Sequence, residues 1–228
     1  MQLKTTASWV RPTVALAALW MMLCASAPLG ANAASKKMRT PSLDERSASA
    51  LIAEVRRSFT LHGKTIPPEI FRDFGDGDLA DSGSIWVTVD IAATIGSNLY
   101  FDDIRSDGPW VSQKKLRQKT DVPEETAYTF IGSTKNGLLV VLATYNGGGS
   151  GIFYTLHILD VAASRGLDFE GKIYQRINLT NLRNVILGDR WEGRVTISNN
   201  AVRIVTDRSG PAEDAGPRAP ITIVAKRP

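Results

Sequence analysis

Arg194-Val-Thr-Ile-Ser-Asn-Asn-Ala-Val-Arg-Ile-Val-Thr206 decides the fold class of this chain. A two-residue loop at Asn199-Asn200 pairs Ser198 with Ala201. It then sets Ile197 opposite Val202, Thr196 opposite Arg203 and Val195 opposite Ile204. One face of the hairpin is wholly apolar and the other polar, as a half-buried antiparallel pair requires. A shift of one residue would turn every apolar side chain to water, so the register is strongly specified.

The same period of two runs back along the chain. Ile85, Val87, Val89 and Ile91 alternate with Trp86, Thr88 and Asp90. Further strands are expected at 98–105, 110–116, 126–132, 138–145, 152–159, 172–179 and 220–226, beside those at 193–198 and 201–207. Turn signals separate them at Asp107-Gly108-Pro109, Asn136-Gly137, the glycine loop 147–151 and Asn199-Asn200. Leu138-Leu-Val-Val-Leu-Ala143 is apolar at every position, which marks a central strand covered on both sides. The expectation is a mainly β chain: an antiparallel β-sandwich or rolled sheet of about ten strands, in a single domain over 43–228.

One helix stands out. Ser42 lies three residues before Glu45, the spacing of a capping box. Ala48, Leu51, Ile52 and Val55 follow at helical spacing, with charged residues elsewhere on the cylinder. An amphipathic helix over about 43–57 results, ending in Arg56 and Arg57, which suit the negative end of its dipole. It reads as a helix packed on the domain, since a membrane-surface helix would need a larger apolar face. Phe59-Thr-Leu61 and Lys64-Thr-Ile66 form a small hairpin across His62-Gly63. Pro67-Pro-Glu-Ile-Phe71 opens a single helical turn.

The N-terminus carries an address. Lys4 and Arg11 precede a nearly continuous apolar run from Val14 to Leu29, and Ala31-Asn32-Ala33 supplies a small-x-small cleavage site. This is the three-part form of a secretory signal peptide, with cleavage after Ala33. The run is shorter than the roughly 20 residues that span a bilayer. Residues 34–42 form a polar, flexible arm. The expected location is periplasmic or secreted, without stable membrane insertion after cleavage.

Cleavage changes the molecule. Cys24, the one cysteine, leaves with the signal, and thiol catalysis and cysteine-based metal sites leave with it. The formal charge of +4 includes Lys4 and Arg11, so the mature chain carries +2. A balance so close to neutral points to no nucleic-acid partner. An envelope ligand or protein is the expected partner.

Three stretches can carry chemistry. Asp73-Phe-Gly-Asp-Gly-Asp-Leu-Ala-Asp-Ser-Gly83 gathers Asp73, Asp76, Asp78 and Asp81 on a turning backbone, the oxygen-rich setting that calcium prefers. It resembles the Asp-Gly-rich calcium loops of FG-GAP-type repeats, with the ladder of acids broken at Gly75 and Ala80. Its alternative is an acidic, solvated turn. Asn146-Gly-Gly-Gly-Ser-Gly151 can present amides to an anion, but it leads into a strand rather than the helix of a phosphate loop. Leu187-Gly-Asp-Arg-Trp191 sets an acid beside a base, to pin a turn or to meet a ligand. The candidate binding residues are Asn146, Ser150, Asp189, Arg190 and Trp191. No catalytic residue is assigned: His62 and His157 stand outside the contexts that activate a nucleophile.

Val141-Leu-Ala-Thr-Tyr-Asn-Gly-Gly-Gly-Ser-Gly-Ile-Phe-Tyr-Thr-Leu156, then Ile186-Leu-Gly-Asp-Arg190, the hairpin at 193–207 and Gly210-Pro211 resemble a group of uncharacterised bacterial exported proteins. These share a Gly-Gly-Ser-Gly-aromatic loop, a Leu-Gly-Asp-Arg turn and a final β-hairpin. The resemblance covers 138–228 and implies a β fold and an envelope location, but no reaction. The residues favour a non-enzymatic binding or accessory module without a cofactor. One alternative is an envelope hydrolase drawing on Asp76, Asp78, Asp189 and Arg190. Another is a calcium-stabilised structural domain.

Overall fold

The computed structural model describes residues 45–74, 87–96, 104–115, 123–210 and 216–227. The stretches read as a signal over 1–33 and an arm over 34–42, and most of the acidic loop, residues 75–86, lie outside the described residues. The chain is mainly β. A seven-stranded antiparallel sheet contains β3 (Val87–Asp90), β4 (Ile104–Asp107), β5 (Trp110–Lys115), β6 (Glu124–Ser133), β7 (Leu139–Asn146), β8 (Phe153–Leu167) and β9 (Ile173–Asp189). Its order is β3-β9-β8-β7-β6-β5-β4, so six strands form a meander and β3 closes the edge beside β9. A second sheet contains β10 (Glu192–Ser198), β11 (Ala201–Arg208) and β12 (Arg218–Val224) in that order. All the described elements belong to one compact unit.

β7 sits in the middle of the large sheet and is apolar on both sides because both sides are covered. Leu139, Val141 and Ala143 face a helical cap, while Leu138, Val140 and Leu142 face the second sheet. On that second side Trp191, Val202, Ile204 and Ile223 complete an apolar layer against Leu156 and Ile158. The two sheets are therefore a sandwich, built from the inward residues of each. The hairpin of β10 and β11 has the register its sequence predicts, with Ile197 opposite Val202, Val195 opposite Ile204 and Thr196 opposite Arg203. Asn199 takes the left-handed conformation at φ 54°, as a tight two-residue loop demands.

The cap begins with α1 (Glu45–Ser58), whose Ala48, Leu51 and Val55 are buried at the predicted spacing. Phe59 ends it at φ 54°, its amide donating to Val55 O at 2.9 Å, a left-handed helix stop. β1 (Thr60–Leu61) and β2 (Lys64–Thr65) form the expected hairpin, with His62 and Gly63 both at positive φ. Glu54 on α1 reaches back to clamp that turn. Its carboxylate accepts from the Gly63 amide at 2.7 Å, the Thr60 hydroxyl at 2.9 Å and the His62 amide at 3.2 Å. α2 (Ile70–Asp73) follows the two prolines. No described helix is long and apolar enough to cross a membrane.

Three elements depart from expectation. The strand read as running to Ile91 stops at Asp90, and α3 (Ile91–Gly96) begins there. Asp90 is the cause: its side chain accepts the Ala92 amide at 3.2 Å, the bond that starts a helix and ends a ladder. The strand placed at 98–105 is described only as Ile104–Asp107. β8 and β9 are far longer than the strands placed at 152–159 and 172–179, running 15 and 17 residues and pairing from Phe153↔Asp189 to Leu167↔Ile173.

Candidate functional site

The glycine loop joins β7 to β8, and the Asp189-Arg190 turn joins β9 to β10. Because β8 pairs with β9 out to Phe153↔Asp189, the two connections arrive at the same end of the sandwich. They hold each other. Asp189 Oδ1 accepts the Ile152 amide at 2.8 Å, and the Arg190 amide donates to Ile152 O at 2.8 Å. The Arg190 guanidinium donates to Ser150 O at 2.7 Å and lies 3.3 Å from Asp189. Arg190 has φ 46°, which turns the chain sharply enough to bring both groups to the loop. Asn146 closes the loop's first turn by accepting the Gly148 amide at 2.8 Å.

Ser150, Asp189 and Arg190 are thus brought together in a latch, by bonds to loop backbone and one ion pair, while the Asn146 side chain bonds within its own loop. Trp191 is elsewhere. It is 6 % exposed in the core between the sheets, its Nε1 donating to Thr206 Oγ1 at 2.9 Å. The side chains of Asp73, Asp76, Asp78 and Asp81 lie outside the described residues. Among the described residues no group of three or more His, Cys, Asp or Glu is gathered as a metal centre.

A second constellation was not read from the sequence. Pairing aligns Gln113, Thr126, Tyr145 and Phe153 in one row across β5 to β8, on the face that the cap covers. The next row holds Ala143 and Thr155, and His157 stands one row deeper beside Val141. Phe71 and Arg72 of α2 lie over this end, leaving a cavity of about 300 Å³ lined by Thr126, Tyr145, Phe153, Thr155 and His157. At its rim Arg72 Nη1 lies 3.8 Å from Glu124 Oε2, and the Tyr145 hydroxyl is 3.4 Å from Glu124 Oε1.

The polar groups of this row are buried but incompletely matched. Gln113 accepts the Glu69 amide at 3.2 Å, while its Nε2 has no partner. Thr126 Oγ1 and His157 Nδ1 are likewise without one. Buried polar atoms are nearly always paired, since each unmet one costs roughly 1–3 kcal/mol. Three such atoms, on Gln113, Thr126 and His157, stand within one short stretch of sheet. The glycine loop borders it: a Cβ on Gly147 would stand 3.3 Å from the Tyr145 hydroxyl, and one on Gly151 3.0 Å from the Phe153 ring. The loop's glycines therefore leave room for the two aromatic walls.

His157 is 1 % exposed, between the Phe71 and Phe74 rings at 5.0 and 6.0 Å. Burial pushes its pKa down to about 4, against the pull of its hydrogen bonds with Asn184 and Asn181. Those two amides are tied down in turn. Asn181 donates to Asn184 Oδ1 at 2.7 Å, and Asn184 donates to Phe74 O at 2.7 Å. The imidazole is neutral at pH 7.

A pH dependence of stability follows. The unfolded chain binds a proton near pH 6.5, and the folded one not until about pH 4. Stability is thus fully present above pH 6.5 and falls as pH drops towards 4, by up to about 3 kcal/mol in total. Urea titrations across that window are expected to show this slope, and His157→Gln is expected to flatten it. An equal slope in the variant would assign the effect to other groups.

No protein-family model matches the chain, and neither a curated protein nor a solved structure is significantly similar to it.

Proposed function

We propose that the protein is an exported binding module, working in the periplasm or outside the cell, whose ligand occupies the cavity beneath α2. The leader supports the location. One observation carries the site: Thr126 and His157, each holding a buried polar atom without a hydrogen-bond partner, are among the residues that line a cavity with aromatic walls. Apolar walls with a few convergent polar groups are the usual make-up of a small-molecule site, and about 300 Å³ is at the small end of the range.

The lining favours an uncharged ligand bearing hydroxyl or amide groups. His157 is neutral, and Thr126 can donate or accept. Arg72 and Glu124 balance each other at the rim. Tyr145 and Phe153, the latter 53 % exposed, present ring surface to a compact ring such as a sugar. Asp189 and Arg190 contribute by fixing the glycine loop rather than by reacting.

Thermal unfolding in the presence of neutral and N-acetylated sugars, with glucuronate as the charged contrast, tests this. A neutral sugar at about a hundred times its Kd is expected to add about 2.7 kcal/mol of stability. Thr126→Val removes the unpaired hydroxyl at nearly constant shape. It should leave the free protein as stable or slightly more so, and weaken binding about tenfold. If no neutral sugar raises the midpoint, or Thr126→Val binds as the parent does, the reading is wrong.

A further inference from the structure

α1 crosses β8 on the capped face and leaves a second, larger hollow of about 720 Å³. One wall is the last two turns of α1, with Ile52, Arg56 and Arg57. The other is the run Asp160–Ala163 of β8, and Arg227 closes one end. From the arrangement of its charges we infer that this groove binds an oxyanion, a carboxylate or phosphate group carried on an apolar body.

The cations are held in place. Arg56 Nη2 donates to Val161 O at 3.3 Å and lies 3.9 Å from Asp160 Oδ1. Arg227 Nη2 lies 3.3 Å from that same oxygen. Gly137 is what lets the two guanidinium groups converge. It has φ +81°, and a Cβ there would stand 3.1 Å from Arg56 Nε and 3.3 Å from Arg227 Nη2. Arg57 lines the same groove from the adjoining helix position and is exposed.

Supply and demand do not match. Asp160 is the one acid among the lining residues, and its Oδ1 already accepts the Val161 amide at 3.0 Å. Arg56 Nε is buried and has no partner. Each guanidinium carries five donors in a fixed fork, and the geometry suits carboxylate or phosphate. The end of α1 offsets only part of the excess, since a helix C-terminus is worth roughly half a negative charge. Three positive charges against one carboxylate and that half charge leave the groove cationic. Ile52, Ala53, Ala162 and Ala163 add an apolar floor beside the charge, the place for the body of the ligand.

Titrations of the protein at constant ionic strength with inorganic phosphate, sodium acetate and sodium hexanoate, followed by calorimetry, decide it. Hexanoate or phosphate is expected to saturate with a Kd of about 1 mM or tighter. Hexanoate binding more tightly than acetate reports a carboxylate seated on the apolar floor, and phosphate binding most tightly reports a phosphate ligand. Arg227→Gln and Arg57→Gln, both at exposed or half-exposed positions, should each weaken the better ligand about tenfold without lowering the melting temperature. Thr126→Val, in the other cavity, should leave it unchanged. Absence of saturation with all three anions, or wild-type affinity in both arginine variants, overturns the inference.

Discussion

Trp191→Ala is expected to cost about 3–5 kcal/mol of folding stability, the range for emptying a buried large aromatic site. The indole lies in the layer between the sheets with Val202, Ile204 and Ile223, and its ring is 6.0 Å from Tyr154. Removing it leaves a void that two sheets, each held by its own ladder, cannot readily close. It also strips Thr206 Oγ1 of its donor. Gly193 shows how closely the ring is packed: a Cβ there would lie 2.5 Å from the indole and 2.1 Å from Val205 O. Urea unfolding should show the midpoint falling with the slope m unchanged. Trp191→Phe, which keeps much of the packing, should recover most of the loss. A loss below about 1 kcal/mol for Trp191→Ala would mean that the sheets do not share this core.

Phe59→Ala is expected to be nearly as damaging, again by about 3–5 kcal/mol. Phe59 is where the cap is joined to the sheet. Its ring stacks on Phe130 at 5.5 Å, meets Tyr128 edge-on at 5.1 Å and lies 6.3 Å from Phe71 of α2. Tyr128 is fixed by donating to Ile66 O at 2.8 Å, so one cluster ties α1, the small hairpin and α2 to β6. Phe59→Leu should lose distinctly less, because it fills most of the volume and keeps the same backbone conformation. Equilibrium unfolding of both variants makes the comparison. Equal losses would mean that side-chain volume alone does not hold the cap and that the ring contacts do.

The parts of the fold legible in the sequence are those whose cause is local. Asn199-Asn200 and the alternation around it specify the β10–β11 register, because a two-residue loop leaves no other pairing that buries Val195, Ile197, Val202 and Ile204. The run at 138–143 marks β7 as central because only a strand covered twice can be apolar at every position. The extra length of β8 and β9 was not legible. Ala162–Leu167 and Leu182–Asp189 mix polar and apolar residues, and each is a strand because a legible strand lies beside it, Ile173–Asn178 for the first and Phe153–Ile158 for the second. The stop at Asp90 was hidden by the β-branched residues around it, whose alternation continues where the carboxylate caps a helix instead.

The candidate sites divide in the same way. Asp189 and Arg190 stood out as an adjacent acid and base, and the glycine loop as a turn. Their contact depends on the pairing that brings Phe153 opposite Asp189. His157 carried a faint signal, a polar residue between Leu156 and Ile158, while Gln113 and Thr126 lie in strands of mixed composition and carried none. Arg56 and Arg227 are far apart in the chain and meet over Gly137.

By itself the sequence determined the mainly β class, the N-terminal amphipathic helix, the register of one hairpin and the centre of the sheet. These follow from periods of two and 3.6 residues and from turn chemistry, which act over a few neighbours. Only the tertiary structure decided that Trp191 is core and that the two loops form a latch. It alone gathered Gln113, Thr126, Tyr145 and His157 from four strands under the cap and set two arginines around one aspartate. Such groupings arise when distant segments are packed together, and no local period records which side chains then share a space.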